Sequence, residues 1–142
     1  MSAMRYPYPG GWMLGVADDR AVAAAGSAAA ERRGAREVRP IVRDGADLFS
    51  LGRSGPLEGL LNVLRHLNTD QAADLLVYDA ARADGRTVLA VRGLGDAARR
   101  GLAADWRAAG LHFVNYYGAV VTEDWDGWRG EPLAGVPDWA WR

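Results

Sequence analysis

The chain contains no cysteine and no lysine, and only two histidines and two phenylalanines. Without cysteine there is no disulfide, no thiolate nucleophile, and no cysteine-held zinc or iron–sulfur centre. Without lysine there is neither a Schiff-base amine nor a P-loop lysine to reach a phosphate. All 17 basic residues are arginine. No apolar run approaches the roughly 20 residues of a membrane span. Residues Met1 to Gly10 lack the apolar core of a signal peptide, so a cytoplasmic location is expected. Positive excess is missing too: the net charge of −1 argues against a general affinity for nucleic acid.

What is present is ordinary for a globular protein. The 142 residues are 49% hydrophobic and 25% charged, enough for one domain with a real core. Met1 to Gly10, with Tyr6-Pro7-Tyr8-Pro9-Gly10, reads as a flexible arm. Trp12 to Ala17 reads as a short buried strand. Asp18 or Asp19 can cap the helix that follows. Val22, Ala25, Gly26 and Ala29 form a narrow face of small residues on it, so the helix should lie close to what it covers. Gly34 supplies the left-handed stop. Glu37 to Val42 suits a second strand, and Pro40 sends it to a sheet edge, because proline cannot donate to a ladder.

A polar connection from Asp44 to Gly55 leads to a helical insert over residues 56–85. Leu57, Leu60, Leu61, Leu64 and Leu67 mark its first helix. Ala72, Leu75, Leu76 and Ala80 are the expected inward face of its second, which Gly85 ends. Thr87 to Arg92 is a third strand. A helix from Asp96 to Gly110 follows, with Ala98, Leu102, Trp106 and Ala109 on one face. Leu111 to Trp125, the densest run of aromatic and β-branched residues, gives a fourth strand with a bend or bulge near Gly118.

The order strand–helix–strand thus occurs twice, over about residues 12–42 and 87–121. The economical solution is an α+β, ferredoxin-like duplicated βαβ sandwich: a four-stranded antiparallel sheet of order 4-1-3-2, forming a single domain over residues 11–125. Both helices would cover one face. The other face needs the insert, the C-terminal tail or a second chain. The tail, residues 126–142 with Trp125 just before it, brings in Trp125, Trp128, Trp139 and Trp141. Burying one such side chain is worth roughly 1.5–3 kcal/mol, so the tail is expected to dock, and these four tryptophans are the interface candidates.

The closing run Gly110-Leu111-His112-Phe113-Val114-Asn115-Tyr116-Tyr117-Gly118, continuing to Glu123-Asp124-Trp125, together with the helix end from Tyr78 to Gly85, resembles an uncharacterised family of small bacterial general-stress and heat-induced stress-like proteins. The likeness spans Trp12 to Trp125. Ala119-Val120 departs from the Arg-Trp of that pattern, and the Trp-rich tail has no counterpart in it. The resemblance implies a duplicated ferredoxin-like fold and a stress association, but no activity.

Several site chemistries follow from the residues. In a regular strand His112, Val114 and Tyr116 share one face, and Phe113, Asn115 and Tyr117 the other. With Glu123 folded back, His112, Tyr116 and Glu123 would form a cluster for acid–base work or for binding a small molecule. The plain alternative is that these are packed residues with satisfied polar tips. A metal site would need His66, His112 and Glu123 or Asp124 to converge, and no short spacing motif brings them together. A haem held by His112 alone has no supporting pattern, and no metal or cofactor is expected. Arg32, Arg33, Arg36, Arg39 and Arg43 make a basic patch beside Glu37, Asp44 and Asp47, without the aromatic motif of an RNA-binding sheet. Gly52 to Pro56 lacks a phosphate-loop pattern, and Ser50, Ser54 and Thr122 lack a nucleophile setting. The sequence therefore reads as a non-enzymatic protein that self-associates as a dimer, with no membrane or nucleic-acid partner. Small-molecule binding or catalysis through His112, Tyr116 and Glu123 is the alternative.

Overall fold

The computed structural model describes residues 12–43, 69–117, 122–125, 127–134, 136 and 141, with only the backbone of 69–73, 75 and 122–124. Numbered in chain order, the described elements are β1 (Trp12–Ala17), α1 (Arg20–Arg32), β2 (Glu37–Ile41), α2 (Thr69–Ala83), β3 (Thr87–Arg92), α3 (Asp96–Ala109), β4 (His112–Tyr117) and β5 (Thr122–Asp124). The leucines from Leu57 to Leu67, His66, the glycine-bearing connection and the Gly118 bend lie outside the described residues.

The fold is α+β. The strands form one sheet of order β2-β3-β1-β4-β5, and every neighbouring pair is antiparallel. The first four strands therefore lie in the expected order, and Pro40 is on an outer strand. One expectation is corrected. The sheet has a fifth strand, and β5 pairs with β4 through Tyr116 and Glu123, so the Tyr116 strand is interior rather than an edge.

Local chemistry explains the helix ends. The Asp19 side chain accepts from the Val22 amide at 2.9 Å and caps α1. Gly110, at φ 106°, turns the chain out of α3 in the left-handed conformation that only glycine adopts without strain.

Both sheet faces are covered by the chain itself. On one face Met13, Ala17, Leu89, Val91 and Val114 pack against Ala29 and Ala30 of α1 and Leu102 and Trp106 of α3. Of the small-residue face of α1, Gly26 and Ala29 are buried as expected and Val22 is half-buried, while Ala30 takes the place of Ala25, which is exposed. Trp106 donates its indole N–H to the Gly26 carbonyl at 3.0 Å, and its ring lies over Gly15, where a Cβ would come within 2.8 Å of two ring carbons. On the other face Trp12, Leu14, Val16, Val88, Ala90, Phe113 and Tyr117 meet Val77, Tyr78 and Ala81 of α2, and Trp128, Leu133, Val136 and Trp141 of the tail join this layer.

The inward stripe of α2 is itself a correction. Asp74, Val77, Tyr78 and Ala81 are buried, whereas Leu76 and Ala80 are only half-buried, and the side chains of Ala72 and Leu75 lie outside the described residues. The stripe keeps the i, i+3, i+4, i+7 spacing, but it is rotated to carry a carboxyl and a phenol into the interior.

Candidate functional site

A bulge in β4 governs which side chains meet. Leu14 pairs with Asn115 and Val16 with His112, so Gly15 alone faces two residues, Phe113 and Val114. Phe113 takes a φ of 50°, a left-handed conformation unusual for a bulky side chain. An extra residue reverses the alternation of everything before it. His112 therefore joins Phe113, Asn115 and Tyr117 on the α2 side of the sheet, and Tyr116 stays on the α3 side. The expected His112/Tyr116 pairing is overturned for that reason. Glu123 has its backbone opposite Tyr116, and its side chain lies outside the described residues.

Tyr116 belongs to a separate stack. The Arg99 guanidinium lies 3.9 Å from the centre of its ring on one side, and Trp125 stacks 6.0 Å away at 16°. Tyr117 is buried on the opposite face, so among the described residues the two tyrosines and the tryptophans form no shared stacking platform. Of the basic patch, Arg33 pairs with Asp105 and Arg39 with Glu37.

His112 is 1% exposed, and both ring nitrogens are engaged. Nε2 lies 2.7 Å from Asp18 Oδ1, while Nδ1 accepts the Arg129 backbone N–H at 3.0 Å. Because an N–H can only donate, Nδ1 is unprotonated. The neutral ring therefore carries its hydrogen on Nε2 and donates it to Asp18. Arg86 donates its Nε–H to the same Asp18 oxygen at 2.8 Å. Burial pushes the Asp18 carboxyl up, but the bonds from His112 and Arg86 outweigh it and hold the group below the usual carboxylate range. Trp128 packs against two members of the cluster, edge-on to His112 at 4.5 Å and under the Arg86 guanidinium at 5.3 Å, while Asp18 stays exposed.

The tail is held by backbone as well as by rings. The Trp125 N–H donates to the Val114 carbonyl and the Phe113 N–H to the Gly127 carbonyl, both at 2.9 Å. Arg129 also donates from its guanidinium to the Leu111 carbonyl. Trp141 rests edge-on against Trp128 at 5.3 Å. Of the four interface candidates, Trp125, Trp128 and Trp141 thus pack on their own chain, and Trp139 lies outside the described residues.

The sequence reading missed a second polar cluster, 0% exposed at Asp74, Tyr78 and Tyr117. Tyr117 donates its hydroxyl to Asp74 Oδ2 at 2.8 Å. Tyr78 donates to the Phe113 carbonyl at 2.8 Å and accepts from the Asn115 amide at 2.9 Å. Burial, then the nearby Tyr78 and Asp74, push the Tyr117 phenol well above its usual range, so it serves as a donor. The Phe113 bulge leaves the β4 carbonyl there to a phenol rather than to a neighbouring strand, which explains why Tyr78 reaches into the sheet. The available signal was the spacing of Asp74 and Tyr78 four residues apart on one helix, with Asn115 and Tyr117 two apart on one strand.

Among the described residues no group of three or more acidic or histidine side chains is placed to hold a metal. No described helix is long and apolar enough to cross a membrane. No family model, curated protein or solved structure matches the chain.

Proposed function

We propose that the chain is a non-enzymatic, cytoplasmic bacterial protein with a duplicated ferredoxin-like fold, stress-associated by its resemblance, that self-associates as a dimer. The observation carrying the non-enzymatic part is the state of His112. It is covered by Trp128, donates to Asp18 and accepts from the Arg129 backbone, so no ring nitrogen remains for a substrate proton. Strand order 2-3-1-4, with α1 and α3 on one face, supports the duplication. The two stretches that carry the resemblance meet where Tyr78 bonds Asn115 and the Phe113 carbonyl. Self-association rests on the tail, whose contacts to β4 would be available equally to the tail of a second copy.

Light scattering at micromolar concentration tests this, with twice the 15.3 kDa chain mass expected and a fall to that mass on removing residues 126–142. A monomer mass in both forms would overturn self-association. A second reading, small-molecule binding or catalysis, is favoured by the buried Asp74–Tyr117 and Tyr78–Asn115 pairs rather than by the dispersed His112, Tyr116 and Glu123. A carboxyl in an apolar layer is costly to keep without a role. Ligand-induced stabilisation that disappears in Asp74→Ala would favour this second reading.

A further inference from the structure

We propose that His112 makes docking of the C-terminal tail pH-sensitive, with the neutral ring clasping the tail and the protonated ring releasing it. This goes beyond the functional reading above, because it concerns when the tail is held rather than what the protein does.

Beyond the Trp125 and Gly127 bonds to β4, the next rung of the tail is irregular. The Arg129 amide reaches no β4 carbonyl: it donates to Nδ1 of His112, while the Leu111 carbonyl is taken by the Arg129 guanidinium. A backbone carbonyl accepts at any pH, but an imidazole nitrogen accepts only while unprotonated. Adding a proton to Nδ1 sets two N–H groups against each other at the Arg129 contact. The ring cannot turn to relieve this, because Nε2–H is held by Asp18 at 2.7 Å and Trp128 packs against its side.

The charged surroundings are known on each side. Asp18, on the turn before α1, favours the imidazolium. Arg86, just before β3, opposes it and is itself shared between Asp18 and Asp84. Arg129, on the tail, adds a second cation facing the Leu111 carbonyl. The protonated ring therefore keeps its bond to Asp18 while losing the Arg129 amide of the tail. The sign is fixed by the acceptor: the clasp holds while Nδ1 is unprotonated and is lost when Nδ1 takes up a proton.

The test is a pH series of ¹H–¹⁵N spectra on the full chain between about pH 8 and pH 5, following the Arg129 amide, the Trp128 indole and the His112 ring nitrogens. The expected result is an Arg129 amide that moves with the His112 ring on a single one-proton curve, with its exchange protection factor falling at least tenfold. In His112→Asn the side-chain oxygen sits near the place of Nδ1 and does not titrate, so the transition should vanish while the tail stays protected. A wild-type His112 that titrates with no change in Arg129 protection would overturn the proposal. So would the same transition persisting in His112→Asn. Because the wild-type ring and amide are read in the same sample, the first outcome decides even if the variant fails to fold.

Discussion

Removing the Tyr117 hydroxyl should destabilise the fold by about 2–3 kcal/mol, a large part of the ~5–15 kcal/mol expected for a domain. The Tyr117→Phe change keeps the ring in its apolar layer and deletes the hydroxyl that donates to Asp74 Oδ2 at 2.8 Å and also meets Tyr78. Both residues are 0% exposed, so water cannot replace the lost donor, and the cost is that of desolvating the carboxyl without this partner. A bond to an ionised acceptor contributes about 1.5–3 kcal/mol, and one between neutral groups about 0.5–1.5. The clean quantity is the coupling from a double-mutant cycle of Tyr117→Phe and Asp74→Ala, because the cavity left by Asp74→Ala cancels in the difference. Urea unfolding followed by circular dichroism gives each free energy, provided the slope of the transition is unchanged among the four proteins. We expect a coupling of about 2 kcal/mol, in the range for a carboxylate acceptor. A coupling below about 0.5 kcal/mol would show that the two groups do not act as a pair and would refute the reasoning.

Other perturbations have equally definite outcomes. Gly15→Ala puts a Cβ 2.8 Å from two carbons of the fully buried Trp106 ring and should cost about 1–3 kcal/mol, read as a lowered thermal midpoint. Asp19→Ala removes the cap on the Val22 amide and should cost about 1 kcal/mol with the sheet spectrum unchanged. The Asp18 carboxyl lies below its usual range in the folded chain, so its contribution to stability is present above the ordinary aspartate range, about pH 4, and is lost as pH falls below it. Asp18→Asn should therefore flatten the acid limb of the stability curve, and an unchanged limb would contradict the Asp18 contacts.

Strand order, the Pro40 edge and the Asp19 and Gly110 caps were legible because each depends on local chemistry or simple periodicity. The small face of α1 was legible in part for the same reason, since Gly26 and Ala29 leave only a close approach available, whereas Ala25 on that face is exposed and Ala30 is buried instead. The site was less legible. Alternation assigns faces correctly only in a regular strand, and nothing in Leu111-His112-Phe113-Val114 announces that Phe113 takes a left-handed φ. One inserted residue moved His112 away from Tyr116 and beside Trp128. The inward stripe of α2 was misjudged because hydrophobic patterning passes over Asp74 and Tyr78, whose burial depends on partners 37 to 43 residues away. The tail was expected to dock from its tryptophans, but the strand that receives it could be recognised only from three-dimensional pairing.

His112 fastens the tail to β4 by accepting the Arg129 amide at Nδ1. Residue-level hydrogen exchange on the full chain near pH 8 tests it most directly. The account predicts that the Phe113, Trp125 and Arg129 amides are all protected, and that His112→Phe, which removes the acceptor but keeps a ring against Trp128, deprotects Arg129 selectively. An Arg129 amide exchanging at the free rate in the wild-type chain, or one equally protected in His112→Phe, would contradict it.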